Sequence, residues 1–278
     1  MHRRWIWLVF VLFFLGALQG LYLAVGNWAV KSGTLARFLS RRPEKFQIAW
    51  TSGHTTWPGI FHLEGIRIRG QSERMQTYVQ MDRCTVRMHL ALLAVCRVHF
   101  YRMEGEGFSL RMRRRTEPGK PRPLDRCEPP IPGLEKDAPP PTRKPYRSPW
   151  TLHFGSATIK RIREIWIGPY KTTGSGVAEG SVDYQLRGPL RVSRAVLRLE
   201  EASTAVGDEV IADHIQAELD ATIASVLPRE NRGRLFLRYL SGRYRVHGQV
   251  GGLRFLNEAL GKRSAISFQG LSNQPSFS

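Results

Sequence analysis

The stretch VRMHLALLAVCRVHFYRMEGEGFSLRMRRR, residues 86–115, decides the fold of this chain because three different structures fit it. Its apolar run is compatible with a membrane helix that starts at His89. Its histidines and cysteine, at positions 89, 96 and 99, are compatible with a metal site. Its alternation of apolar and basic residues is compatible with β-strands that have one apolar face. Each structure would give the chain a different function.

The alternation favours β-strands. The apolar run at 90–95 has only six residues, whereas a membrane helix needs about 20. Successive side chains of a strand point to opposite faces, so Val98 and Phe100 lie on one face and Arg97 and His99 on the other. Residues 104–107, Glu-Gly-Glu-Gly, predict a turn. The stretch is therefore predicted to be a β-hairpin with one apolar and one basic face.

The same parity weakens the metal site. His99 is predicted on the face opposite to Cys84, and the sequence has neither a Cys-x-x-Cys nor a His-Glu-x-x-His motif. Three cysteines at irregular spacing, Cys84, Cys96 and Cys127, do not make a disulfide framework. We therefore expect no metal and no cofactor.

The first thirty residues predict a transmembrane anchor. Residues 5–30 contain no charged side chain, and as a helix they would be about 39 Å long, enough to cross a hydrocarbon core of about 30 Å. Aromatic residues at both ends suit the two membrane interfaces. A cleavable signal peptide is the alternative, since Ala24 and Gly26 have cleavage-site spacing, but its apolar core would be shorter.

Residues 31–45 predict a basic juxtamembrane helix. Four of its basic residues are candidates for contact with lipid headgroups: Lys31, Arg37, Arg41 and Arg42. An ordinary solvated helix end is the alternative. Basic residues at the N-terminus favour a cytoplasmic start, and those after the span favour the opposite orientation. The net charge of +19 raises nucleic acid as a partner, but the anchor argues against that class.

The remaining chain divides into two β-segments around an insert. Residues 46–115 form the first segment, in which the apolar parity flips at Glu64-Gly65 and predicts a glycine bulge. Residues 116–149 hold eleven of the seventeen prolines and predict a surface insert or linker. Residues 150–278 form the second segment. It includes a strand over 208–225, where apolar residues share odd positions, and a short helix near 253–262.

The predicted fold is mainly β: an N-terminal transmembrane helix followed by a twisted antiparallel sheet, with few helices. The sequence has no glycine-rich phosphate loop, no nucleophile elbow and no set of metal ligands. We therefore expect no enzyme and assign no catalytic residue.

The pattern resembles a known family. An N-terminal anchor precedes WPGIFHLEGIRI (57–68) and VQMDRCTVRMHLALLAVCRVHFYRMEGEGFSLRM (79–112). After the insert follow WTLHFGSATIKRI (150–162) and YLSGRYRVHGQVGGLRFLNEALG (239–261). These segments resemble the N-terminal part of the AsmA-like, TamB-related proteins of Gram-negative bacteria. The resemblance implies an inner-membrane anchor and a periplasmic β-sheet shaped as an open groove, which conducts phospholipid or assists assembly of outer-membrane proteins. The proline-rich insert departs from the pattern.

Two functions follow as expectations. The first is a groove that binds the acyl chains of phospholipids, in a single-pass inner-membrane protein whose bulk is periplasmic. The second is a scaffold or assembly factor for other envelope proteins. Seven apolar residues at even positions are the candidates for lining the groove: Val86, Met88, Val98, Phe100, Phe108, Leu110 and Met112. A closed core formed by the same residues is the alternative.

Overall fold

The computed structural model of the chain begins with a long helix. Helix α1 spans His2–Lys31 and helix α2 spans Thr34–Leu39. The part Trp7–Lys31 is long and apolar enough to cross a membrane, with a mean hydropathy of 2.3. The structure describes residues 2–40, 42–72, 74–115, 124–135, 151–185, 188–227, 238–252 and 276–277. The predicted helix near 253–262 lies outside these residues.

The rest of the described chain is dominated by one β-sheet. Its strands are β1 (Phe46–Ala49), β2 (Ser52–Trp57), β3 (Ile60–Gln71), β4 (Met75–Met88), β5 (Arg97–Arg114), β6 (Thr151–Ile167), β7 (Tyr170–Gln185), β8 (Leu190–Val206), β9 (Glu209–Val226), β10 (Leu240–Val250) and β11 (Ser276–Phe277). They pair in the order β1-β3-β4-β5-β6-β7-β8-β9-β10-β11, and β2 also pairs with β3. The sheet is groove-like and does not close into a barrel. The mainly β fold predicted from the sequence is confirmed.

The described pairs are antiparallel with one exception. Strands β5 and β6 are parallel, with Arg97 opposite Thr151 and Met112 opposite Ile167. A parallel pair needs a crossover connection, because the chain must return to the end of the sheet at which β5 began. The proline-rich insert makes this connection. The sequence carries no sign of this parallel pair, because a crossover has no periodic signal of its own.

The predicted hairpin over residues 97–113 is wrong. Residues 104–107 lie inside the single 18-residue strand β5, and LALLAV forms a short 3₁₀ helix, Leu90–Val95, between β4 and β5. Gly107 does adopt a left-handed conformation, with φ of 70°, but it bends the strand without reversing it. The alternating stretch 150–168 predicts two short strands separated at Gly155, but this glycine also lies inside one strand, β6.

A row of such bends crosses the sheet. Gly65 has φ of 60°, as the parity flip at this position predicts. Arg161 has φ of 54° and lies opposite Gly107, between the pairs Glu106–Lys160 and Phe108–Ile162. Glu201 in β8 and His214 in β9 also have positive φ. At each bend one residue drops out of the alternation, so apolar residues on both sides stay on the same face.

Part of the insert covers the polar face of the sheet. Residues 124–135, here called the strap, accept hydrogen bonds through their backbone carbonyls. The Trp166 indole donates to Cys127 at 3.2 Å, and the Arg113 guanidinium donates to Pro129 at 3.1 Å. Gln76 donates to Glu135 and is fully buried. The strap therefore packs on the sheet, which its composition did not indicate.

Candidate functional site

The apolar face of the sheet is the candidate functional site. The register places all seven predicted groove residues on this one face. Met88 lies opposite Phe100, and Val86 lies opposite Met103. Across the parallel pair, three apolar residues of β5 face three of β6, namely Phe108 with Ile162, Leu110 with Ile165, and Met112 with Ile167. The seven residues therefore lie on one face.

The face continues across the strands that follow, which the sequence analysis did not assign to it. Phe154 of β6 lies opposite Val182 of β7, which lies opposite Val192 of β8. Leu197 of β8 lies opposite Leu219 of β9, which lies opposite Tyr244 of β10. Alternation within each strand is visible in the sequence, but only the register shows that these rows join.

Exposure changes along the face. Near α1, Ile66, Met81 and Cys84 form a buried cluster, with Val86 and Phe108 packed against it. Burial raises the pKa of the Cys84 thiol to about 12, so this cysteine is an apolar core residue at neutral pH. At the other end of the sheet, the Leu219 side chain is 39% exposed and Tyr244 is 82% exposed. The face is thus closed next to α1 and open towards β10.

One face assignment from the sequence is wrong. Alternation along residues 78–90 predicts Tyr78 on the same face as Cys84, but it lies opposite Arg69 and Arg111 on the polar face and is 6% exposed. The bend at Asp82 explains the error. Alternation is interrupted there, so Met81 and Cys84 share the apolar face and Tyr78 falls on the polar face. No glycine marks this bend in β4, so the sequence carries no signal for it.

The junction with α1 lies beside the closed part of the face. The Trp50 indole Nε1 donates a hydrogen bond to the Val30 carbonyl oxygen at 3.1 Å. Trp50 also packs against the cluster of Ile66, Met81 and Cys84, and Val30 is 1% exposed. The last turn of α1 is therefore continuous with the packing of the apolar face.

Most described charges near the bends are on the polar face, where they pair with each other. Arg163 and Arg161 form ion pairs with Asp82 and Glu106, respectively. Arg111 donates to Glu164 at 2.7 Å. Exposed ion pairs contribute little to stability, about 0–1 kcal/mol each. Their effect is to keep the polar face solvated and to leave the apolar face uncharged.

The four headgroup candidates lie at or after the C-terminal end of α1. Lys31 and Arg37 are exposed, Arg42 is exposed but engaged in a contact, and Arg41 lies outside the described residues. Helix α2 is short, and its exposed side chains include Phe38 and Leu39. This helix therefore exposes both basic and apolar side chains, and it covers only part of the helix predicted over residues 31–45.

A histidine cluster occupies the polar face at the ends of β5, β6 and β7. The ring centroids of His99 and His153 are 4.3 Å apart, and those of His89 and His99 are 4.9 Å apart. His153 is paired with Asp183. Burial lowers the pKa of His99, as do the neighbouring His153 and His89, whereas Asp183 raises it. His99, His153 and Asp183 border a cleft of about 490 Å³ that also includes Arg97 and Arg191.

The metal-site hypothesis rests on His89, Cys96 and His99. Two of these residues, His89 and His99, belong to the histidine cluster and contact each other. The rings of His89 and His99 are in tilted contact, whereas Cys96 directly follows the 3₁₀ helix, with φ of 56°. Among the described residues, no group of three or more His, Cys, Asp or Glu side chains is placed to hold a metal ion.

Comparison with known proteins adds no identification. No family model matches the chain, and no curated protein matches it. The resemblance to AsmA-like proteins therefore stays a prediction from the sequence pattern.

Proposed function

We propose that this protein binds the acyl chains of membrane phospholipids along the apolar face of its sheet and conducts them away from the membrane that α1 spans. The protein acts without catalysis, and its ligands are the lipids themselves. On the sequence resemblance, the membrane is the inner membrane of a Gram-negative cell. The sheet then lies in the periplasm and serves biogenesis of the outer membrane.

The observation that carries this proposal is the continuity of the apolar face. Its rows run from β3 to β10 without an interrupting charge among the pairs described above. Its first residues pack against Trp50, which donates a hydrogen bond to the last turn of α1. An open apolar face of this extent is unusual in a soluble domain and marks a binding surface. The polar face, by contrast, is covered in part by the strap and carries the ion pairs.

Acyl chains match this surface in chemistry and in shape. Each buried methylene contributes about 0.8 kcal/mol, so a contact of a few carbons is enough to hold a lipid. A chain of carbons needs no fixed polar partner, and the register offers rows of aliphatic side chains on successive strands. The lipid can therefore occupy neighbouring positions of similar energy, as conduction along the face requires.

Site-specific photo-crosslinking in cells tests the proposal. Leu219 and Glu218 are adjacent exposed residues of β9 that point to opposite faces. A photoreactive amino acid at Leu219 or Leu110 should capture phospholipid, and one at Glu218 should not. Capture at Glu218 without capture at Leu219 would show that the polar face carries lipid and would overturn the proposal.

A scaffold for other envelope proteins is the second candidate, and one observation favours it. Among the described residues, the outer edge of β10 pairs only at Gly248 and Gln249, with β11. Unpaired strand edges accept strands of other chains. Crosslinks from Tyr244 to protein, together with no lipid at Leu219, would favour this function.

A further inference from the structure

A set of hydrogen bonds fixes the height of the sheet along α1. The Tyr22 hydroxyl accepts a hydrogen bond from the Gly59 backbone N–H at 3.2 Å. Asn27 donates to the Thr55 carbonyl oxygen at 3.1 Å and accepts from the Thr55 N–H at 2.9 Å. Val30 packs against Gly53. The last turns of α1 therefore run alongside β2 in the opposite direction, with the turn after β2 at the level of Tyr22.

This arrangement limits how deeply α1 can enter a bilayer. Strand β2 exposes Ser52, His54 and Thr56 along the part that faces α1. A hydrocarbon core does not accept polar side chains and the open edge of a sheet. The hydrocarbon boundary must therefore lie at about Tyr22, where β2 ends. Residues 5–22 then form the span, and their length as a helix is about 27 Å, close to the hydrocarbon thickness of about 30 Å.

We propose that Trp57 and the Leu90–Val95 segment insert into the membrane leaflet beneath the sheet and form a second contact with the bilayer that α1 spans. The Trp57 side chain is 59% exposed and Val95 is 61% exposed. The Met88 N–H donates to the Gly59 carbonyl oxygen at 2.8 Å, and the Leu90 side chain borders Gly59. Both elements are thus tied to the residue that Tyr22 holds, at the boundary of the hydrocarbon core.

Exposed apolar residues occur at both ends of the sheet. The contact with α1 identifies the end with Trp57 and Leu90–Val95 as the one that faces the membrane. Ile167 and Val210, at the opposite end, are 49% and 44% exposed. They lie at the far ends of β6 and β9, whereas α1 packs mainly against β2 and α2 in the described part of the chain. Tryptophan is enriched at membrane interfaces, and the aliphatic side chains of a short turn can enter the apolar region beside it.

The same geometry moves the basic residues away from the lipid. Lys31 is nine residues beyond Tyr22, about 14 Å along the helix axis. The headgroup layer is only about 5–8 Å thick on each side of the hydrocarbon core. The membrane contact is then made by Trp57 and Leu90–Val95, and Lys31 and Arg37 stand above it. The inference rests on the membrane anchoring in the proposed function and is independent of acyl-chain binding.

Fluorescence of the full chain in vesicles of phosphatidylethanolamine and phosphatidylglycerol tests the inference. An environment-sensitive fluorescent amino acid is placed singly at Val95, at Val210 as the matched exposed control, and at Leu12 in the middle of α1. We expect probes at Val95 and Leu12 to emit at shorter wavelength than the probe at Val210. Nitroxide-labelled lipid should quench the probes at Val95 and Leu12 at least twofold more than the probe at Val210. Iodide, which stays in water, should quench mainly the probe at Val210.

Two results would overturn the inference in distinguishable ways. If Leu12 is quenched by lipid while Val95 matches Val210, α1 spans the bilayer and the second contact does not exist. If Leu12 itself is not quenched by lipid, the membrane anchoring fails, and the second contact fails with it. The variant Val95→Glu should restore iodide access at a probe on Trp57 while keeping Leu12 in lipid.

Discussion

The Trp50 indole donates its N–H to the Val30 carbonyl oxygen, at 3.1 Å, and thereby joins α1 to the apolar face of the sheet. A carbonyl in the last turn of a helix has no partner within the helix. The Gly33 N–H, beyond the helix, donates to the same oxygen at 3.4 Å. Trp50 adds the shorter bond and also packs on the cluster of Ile66, Met81 and Cys84. Trp50 therefore connects the end of α1 to the core of the sheet.

Replacement of Trp50 separates these two contributions. Trp50→Phe keeps an aromatic ring and loses the hydrogen bond, so we expect the free energy of unfolding to fall by about 1 kcal/mol. Trp50→Ala also loses the packing and should cost about 3 kcal/mol. Denaturant unfolding of the purified chain in mild detergent measures both. The exposed Trp57 is the control, and Trp57→Phe should change stability by less than about 0.5 kcal/mol.

Gly107 tests the row of bends. Its φ is 70°, and a Cβ at this position would overlap the Asp82 carboxylate. Gly107→Ala should therefore lower the free energy of unfolding by about 2 kcal/mol, through backbone strain and this overlap. Gly70→Ala is the matched control, since Gly70 has ordinary φ and no atom within 4 Å of a Cβ. Equal stability of the two variants would show that the bend at Gly107 is not needed.

Arg113 tests the contribution of the strap. Its guanidinium donates to Gln76 Oε1 at 2.7 Å and to the carbonyl oxygens of Pro129 and Leu134, and the residue is 4% exposed. Arg113→Ala leaves three buried acceptors without a donor, and we expect a loss of about 3 kcal/mol in unfolding free energy. Arg114→Ala, at the exposed neighbouring position, should change it by less than about 0.5 kcal/mol. If the strap only links β5 to β6, the two variants should have the same free energy of unfolding.

Stability should depend on pH through the histidine cluster. The pKa of His99 is lowered by burial and by His153 and His89, so below pH 6.5 the unfolded chain binds more protons than the folded chain. Stability should therefore fall as pH falls from 6.5 towards the folded-state pKa, and it should be constant above. Arg97 and Arg191 border the same cleft and add positive charge, whereas Asp183 opposes the effect.

The variant His99→Gln isolates this dependence. It should flatten part of the acid-side loss of melting temperature between about pH 6.5 and 5, because the polar side chain remains without the titration. The remaining loss includes His62, whose pKa is lowered by burial and by His54 and Arg87. An unchanged pH profile in His99→Gln would exclude the cluster as a source of acid sensitivity.

Parts of the fold could be predicted because they have a local signal. The apolar length of α1, the alternation in β9 and the flip at Gly65 are all visible in the sequence, and the structure agrees with each. The seven groove candidates lie at even positions and share a face because β5 contains two irregularities, at Tyr101 and at Gly107, and the second restores the alternation that the first interrupts.

Other parts depend on contacts distant in sequence. Nothing local distinguishes a turn at 104–107 from a bend within a long strand, since glycine favours both. The buried site of Arg113 also has no signal, because the acceptors belong to the strap. The extension of the apolar face to Leu219 and Tyr244 follows only from the pairing of β8, β9 and β10.

Lipid retained by the purified full chain tests acyl-chain binding most directly. After extraction in a mild detergent, mass spectrometry should find phospholipid in near-stoichiometric amount with the wild-type protein. Leu219→Glu places a charge on the open part of the apolar face, where it can reach solvent, so this variant should fold normally and retain at least several-fold less lipid. Glu218→Gln on the polar face should retain as much lipid as the wild type. A folded wild-type chain that carries no more phospholipid than Leu219→Glu would contradict the proposed function.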